Sequence, residues 1–310
     1  MIKKVSIIGA GYVGSSMAYS LMLKELVEEI VLIDVNEKAA QAEVADIRPG
    51  MREVSLSKVR LGHFFDTEDS DIIIIAAGIG RRPGESRMDL IGQNSIIASS
   101  ISSKLKAYNA RGIVIVVTNP VDVITWIVAQ ELNEMDGRVF GTGCLLDSAR
   151  FRLILADFLQ IEEKNVRAFV AGEHGPHQIL LWSSVTIEGR PLSEWLRLNN
   201  MKLTQDDKDL IAQRVSGMGA SIIEGKGHTH YGVSSCVVYI ASVIARKDEA
   251  IMSLSCPLNV KNENRSISIS LPCVLNKSGI VRTEIEILSK GERFAMKELV
   301  ANFDDIKVNF

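Results

Sequence analysis

The sequence predicts an α/β protein: an open, doubly wound parallel sheet in the first half, followed by a mixed α+β second half. Three observations carry this. Short β-branched runs alternate with helical patterns over residues 1–143, the signature of right-handed strand–helix–strand crossovers. Several of these runs are apolar throughout, so both faces of the sheet are covered. Beyond about residue 143 the texture changes to long helices interspersed with alternating, strand-like segments.

The elements follow in order. KKVSIIGAG (3–11) reads as a strand and SSMAYSLMLKEL (15–26) as a helix. EEIVLIDV (28–35) is a second strand, followed by a helix over 36–50 that ends near Pro49 and Gly50. KVRLGHF (58–64) is a weak strand and DIIIIAAG (71–78) a strong one. A long helix is expected over 87–109, a buried strand over 111–120 stopped by Pro120, a helix over 121–132 and a short strand over 138–143. In the second half, 145–161, 206–227, 234–250 and 291–306 read as helices. Residues 166–175 and 179–192 read as extended, and 266–287 as antiparallel strands around a Ser-Gly turn. The expected division is a unit over 1–143 and a second over 144–310 that sits over the first.

Bulk properties narrow the function. With 310 residues, 46% hydrophobic and 24% charged, the chain is long enough for two cores. A net charge of −3 with dispersed basic residues argues against nucleic-acid or membrane partners. Cys144, Cys236, Cys256 and Cys273 form no CxxC pair and no metal-ligand spacing, so reduced thiols, a cytoplasmic setting and no metal centre are expected. No segment has the make-up of a signal peptide, and DIIIIAAG is too short to span a bilayer.

GAGYVG (9–14) fits the dinucleotide fingerprint, with a strand before it and a helix after it. Gly9 allows the tight turn, Gly11 lets the backbone approach a pyrophosphate at the helix N-terminus, and Gly14 lets helix pack on strand. Asp34, twenty residues after Gly14, ends the second strand, where a carboxylate accepts ribose hydroxyls and repels a 2′-phosphate. This makes the first half a Rossmann-type unit with NAD as its cofactor, to which Val13, Gly78 and Asn119 are also assigned.

Three groups look chemical. TNPVD (118–122) ends a buried strand with Asn119; LDSARFR (146–152) sets Asp147 and Arg150 three apart on one helix face; AGEHGPH (171–177) holds His174 between glycines. A histidine bonded to a buried aspartate is an oriented acid/base, and a neighbouring arginine binds a carboxylate in a fork. RRPGESR (81–87) adds Arg81, Arg82 and Arg87 on a Pro/Gly loop. His63 is read as structural.

Together the glycine turn, Asp34, PGESR, TNPVD, GTGCLLDSARFR, GEHG and KGHTHYG resemble the NAD-dependent lactate/malate dehydrogenases over nearly the whole chain. The resemblance implies that His174 passes the proton to a 2-oxoacid carbonyl, Asp147 orients His174, and Arg150 binds the substrate carboxylate. It also implies that Arg87 polarises the carbonyl as a loop closes, that Asn119 contacts substrate and nicotinamide, and that the enzyme is a homo-oligomer, dimer or tetramer.

Family positions divide over the substrate. Arg81 stands where malate-type members carry arginine and lactate-type members glutamine. Thr229 and the GESR segment are lactate-like. The balance favours an L-lactate dehydrogenase type, with malate or another polar 2-oxoacid as the alternative. Pro176-His177 after GEHG, and His228 and His230 around Thr229, depart from the family pattern and would add positive charge below about pH 6.5. Arg152 and Arg167 match the basic pair with which some bacterial members hold fructose 1,6-bisphosphate between subunits, against the plainer reading of two surface arginines. Two other classes compete: an NAD-dependent glycosidase, which needs metal-binding Cys and His absent here, and a non-catalytic NAD-binding module, which has no use for His174, Asp147, Arg150 and Arg87 together.

Overall fold

β1 (Ile2–Ile8) is buried along its length except at Lys3, because it forms the centre of a parallel sheet. The chain continues through α1 (Tyr12–Leu23), β2 (Val27–Ile33), α2 (Glu37–Met51), β3 (Lys58–Leu61), β4 (Ile72–Ile75), α3 (Arg87–Ala107), β5 (Ile113–Val116), α4 (Val121–Leu132) and β6 (Val139–Gly141). The computed structural model describes residues 1–51, 54–80, 87–260 and 265–301. The six strands pair in the order β3-β2-β1-β4-β5-β6, all parallel. The order reverses between β1 and β4, which opens a crevice at their carboxyl ends. β4 and β5 are wholly buried, as their unbroken apolar sequence requires.

Several boundaries shift from expectation: the first helix spans Tyr12–Leu23 and not 15–26, and the fourth strand ends at Ile75 and not at residue 78. The third strand stops at Leu61, because Asp66 draws the chain into a 3-10 turn over Phe64–Thr67 by accepting the His63 amide at 2.8 Å and pairing with Arg60 at 2.6 Å. α2 runs through Pro49 to Met51; the proline has no N–H for the carbonyl four residues earlier, and only two helical residues follow it.

The second half comprises α5 (Leu145–Leu159), β7 (Val166–Arg167), β8 (Val170–Gly172), β9 (Gln178–Leu180), β10 (Thr186–Ile187), β11 (Arg190–Pro191), α6 (Leu192–Leu198), α7 (Gln205–Lys226), α8 (Tyr231–Arg246), β12 (Ala250–Asn259), β13 (Ser266–Asn276), β14 (Gly279–Thr283) and α9 (Lys290–Ala301). α6 begins at Leu192, the last residue of the expected extended segment, and otherwise covers a stretch that sequence leaves unassigned. α7 starts at a capping box, Thr204 with Asp207, each side chain holding the other's amide.

This half does not simply sit over the first. β12 pairs antiparallel with β6 at Ser255 and Gly141, β13 pairs with β12 from Ser266 to Leu275, and β8 joins β13 at Ser270 and Gly172. The result is one 11-stranded sheet running through both halves. α8 is the part that lies over the first half: it packs on α1, and its Val237, Ile240 and Ile244 share a core cluster with Met17 and Leu21. Each such side chain contributes about 1.5–3 kcal/mol over its exposed state. The shared sheet and core bring the strand ends of the first half to the histidine segment of the second.

Candidate active site

The cofactor side is built from backbone. Gly9 has φ +104°, and a Cβ there would lie 2.4 Å from the Ala77 amide nitrogen. A Cβ at Gly14 would fall 1.8 Å from the Gly9 carbonyl oxygen, so the turn and α1 meet only without side chains. Gly11 is the N-cap of α1 and offers no side-chain cap, which leaves the first-turn amides open to an anion. A cavity of about 600 Å³ lies alongside, lined by Gly9, Gly11, Asp34, Phe64, Gly78 and Lys104 among others. Asp34 ends β2 as expected; its carboxylate accepts the Ala10 amide at 2.7 Å and the Asn36 amide at 2.8 Å. The Val13 carbonyl accepts the Ser234 hydroxyl at 3.4 Å, tying the turn to α8. Gly11 and Gly78 are exposed toward solvent, as is Asn119, which precedes the cis bond to Pro120.

The catalytic side is built from buried charge. Asp147, in the first turn of α5, accepts from Arg150 Nη1 at 3.1 Å on Oδ1 and bonds His174 Nδ1 at 2.6 Å through Oδ2. Asp147 is 3% exposed, Arg150 10%, and His174 keeps 26%. Burial pushes the Asp147 carboxyl up, but the His174 hydrogen bond and the His174 and Arg150 charges outweigh it, leaving it below the usual carboxylate range. Burial works against a charged His174; the Asp147 bond and the charges of Asp147 and Asp122 overcome this and hold the imidazole above its ordinary value. Gly219 of α7 passes beside the Arg150 guanidinium, with space there for an ordinary contact. Cys144 places its sulfur within 4.8 Å of donor atoms on Asp147 and His174. Burial, reinforced by Asp147 and Asp122, raises that thiol well above its usual value, so the sulfur stays protonated.

The remaining candidates spread out. Thr229 is half-buried, between His228, which stacks on Tyr12 of the glycine turn at 4.2 Å and 7°, and His230. Burial, then Lys226 and His228, hold His230 below the ordinary histidine range, so the extra positive charge expected near pH 6.5 does not come from that ring. His177 bonds the buried Glu173 at 2.5 Å. His63 is exposed and pairs with Glu37 at 3.5 Å. Arg152 is partly buried and donates to the Ala168 carbonyl at 3.2 Å, whereas the neighbouring Arg167 is exposed on β7. Arg81 and Arg82 lie outside the described residues; Arg87 opens α3, and its side chain is outside them too.

Two buried polar residues that brace the site have no role assigned in the sequence reading. Asn94 is 1% exposed; it grips Ile79 through both backbone atoms, at 2.8 and 3.2 Å, and donates to the Asn119 carbonyl at 2.7 Å, so it joins the loops after β4 and β5. Asp122, 2% exposed, accepts the His174 amide at 2.7 Å. The available signal is a polar residue in an apolar helical context, which does not name its partner.

A parallel dinucleotide-type sheet whose strand ends meet an oriented imidazole defines a dehydrogenase acting on a carbon that bears a hydroxyl. The chain belongs to the lactate/malate dehydrogenase family: residues 3–141 match its NAD-binding domain and residues 144–308 its α/β C-terminal domain. It is 37% identical over 280 residues, 90% of either chain, to an L-lactate dehydrogenase of Thermoanaerobacter sp. (strain X514). The fold superposes on a minor L-lactate dehydrogenase from Enterococcus mundtii with TM-score 0.92 and 30% identity, covering 99% of this chain and 98% of that one. A Cryptosporidium parvum malate dehydrogenase gives TM-score 0.90 and 29% identity over the same shares.

Proposed function

We propose that the chain is an NAD-dependent L-2-hydroxyacid dehydrogenase of the L-lactate dehydrogenase type, interconverting a 2-oxoacid such as pyruvate and its L-hydroxyacid. The observation that carries this is the 2.6 Å pair of His174 and Asp147, with Arg150 on the same carboxylate. The open first-turn amides of α1, the side-chain-free meeting of Gly9 and Gly14, and Asp34 at the end of β2 fit NAD. Bound in the reduced form, the cofactor supplies the hydride. His174 holds the proton that the carbonyl oxygen takes up, and Asp147 fixes its tautomer and stabilises its charge. Arg150 spends one N–H on Asp147 and keeps the rest of its fork for the substrate carboxylate. Arg87 polarises the carbonyl, and Asn119 and Thr229 border the substrate. The cofactor unit spans 1–143 and the substrate unit 144–310.

The relatives named lactate dehydrogenase favour a monocarboxylate. Arg81 favours the malate reading, since a closed loop that left its charge facing a methyl group would strand it unpaired. Assays with NADH and pyruvate, oxaloacetate and 2-oxoisocaproate decide. A kcat/KM for pyruvate at or above that for oxaloacetate is expected. Oxaloacetate ahead by orders of magnitude, with Arg81→Gln moving preference toward pyruvate, overturns the lactate assignment.

Homo-oligomerisation is supported by Leu23 of α1 and Tyr239 of α8, both over 40% exposed in the groove between the two helices. An anionic effector at Arg152 and Arg167 is supported by the partly buried Arg152 guanidinium, which spends one N–H on the Ala168 carbonyl and on which Glu163 acts by charge without forming an ion pair among the described residues. Unchanged kinetics and mass in millimolar fructose 1,6-bisphosphate would remove that part. Four free, buried cysteines fit a cytoplasmic setting, and among the described residues no helix is long and apolar enough to cross a membrane.

A further inference from the structure

Two carboxylates hold His174, and only one of them touches its ring. Asp147 takes the imidazole; Asp122 takes the backbone, its Oδ2 accepting the His174 amide at 2.7 Å across a sequence separation of 52. The other oxygen of Asp122 accepts the Ser255 hydroxyl at 2.6 Å and that of Ser270 at 3.3 Å. Ser255 is bonded in turn to Ser268 at 2.9 Å. All three serines are fully buried. Three elements thus converge on one carboxylate: α4, which carries it, and β12 and β13, which orient it.

We infer that Asp122 is a positioning residue for His174, holding the peptide that sets where the imidazole stands. The backbone around that peptide needs such a hold. Gly172 and Gly175 flank Glu173-His174 at φ +96° and +135°, so the chain on both sides turns through conformations with little steric restraint. The serines that orient Asp122 come from the strands that join the two halves of the sheet, so the junction itself locates the proton donor. This rests on the reading of His174 as that donor. A misplacement of about 1 Å at a reacting group costs on the order of 100-fold in rate.

The test uses the full chain, with each variant's folded fraction measured by thermal melting and NADH binding by fluorescence titration. Asp122→Ala should lower kcat for pyruvate about 30- to 100-fold, with NADH affinity within about twofold. Asp122→Asn keeps an acceptor for the amide and should recover kcat to within about fivefold of the parent. The same variant removes a negative charge near His174, so the pH at which reduction declines should move down. A kcat within about twofold of the parent for folded Asp122→Ala overturns the inference. Should the alanine variant not fold, Asp122→Ser, whose hydroxyl is too short to reach the His174 amide, takes its place with the same expected loss, and a kcat within about twofold of the parent overturns the inference equally. His174→Gln separates the two layers. If it keeps kcat within about tenfold of the parent, the reading of His174 fails; if it loses about 100-fold or more while Asp122→Ala is fully active, only the role of Asp122 fails.

Discussion

The two sides of the crevice are made of different materials. On the cofactor side, the glycine turn, with its backbone and helix amides beside a strand-end aspartate, is defined by what is missing, namely side chains. On the catalytic side, a buried aspartate, arginine and histidine hold one another, and the surface is defined by charge that water cannot easily screen. The first should respond to added atoms and hardly at all to protons. The second should respond to protons and to lost hydrogen bonds.

The largest effects come from crossing the two. His174→Gln removes the proposed proton donor and should cut kcat about 10²- to 10⁴-fold while NADH binds as in the parent. Gly14→Ala should do the reverse: its new methyl meets the Gly9 carbonyl, so NADH affinity falls, by about tenfold or more, while His174 titrates as before. Parallel NADH titrations and steady-state kinetics would break the comparison if both variants lost the same function.

Next in size is the pH dependence. The folded structure holds His174 above the ordinary histidine value near 6.5. Reduction needs the protonated ring, so kcat/KM for a 2-oxoacid should be flat below the raised value and fall about tenfold per pH unit above it. Oxidation of the hydroxyacid needs the neutral ring and should rise over the same window. Asp147→Asn removes the hydrogen-bonding charge that sustains the shift, so both limbs should move to lower pH. Profiles that ignore this substitution would detach Asp147 from His174.

The contrast between the two sides also explains what the sequence made legible. A glycine turn is a local object: spacing within GAGYVG, a strand before it and a helix after it are all adjacent in the chain, and Gly9, Gly14 and Asp34 stand where that pattern puts them. The pairing of Asp147 with His174 was accessible only through resemblance, because 27 residues separate them. Asp122 and Asn94 were not legible as partners, since their bonds reach 52 and 25 residues away to backbone atoms that carry no side-chain signature. The serines of β13 show a different limit. Their alternation with isoleucine reads as one dry and one wet face, yet both faces are buried, and the polar one is satisfied by Asp122 and by other hydroxyls. Periodicity reports polarity correctly and cannot say whether water or protein answers it. The extension of the parallel sheet by β12 was hidden for a related reason: a single pair, Ser255 with Gly141, makes the join.

The smallest expected effect sharpens the boundary between the two materials. Asp34 is the acidic side chain lining the cofactor cavity among the described residues, and two jobs are proposed for it: its oxygens hold the Ala10 and Asn36 amides, and its charge would disfavour a 2′-phosphate. Asp34→Asn keeps one carbonyl acceptor and removes the charge. If the backbone does most of the binding, NADH affinity should fall only about two- to fivefold, the scale of one weakened hydrogen bond at a partly exposed site. The preference for NADH over NADPH should narrow more, by about tenfold, because repulsion of a phosphate depends on charge and not on the acceptor. Competition titrations with the two nucleotides measure both numbers. A loss of NADH binding as large as that of Gly14→Ala would place the side chain, and not the glycine backbone, at the centre of cofactor recognition.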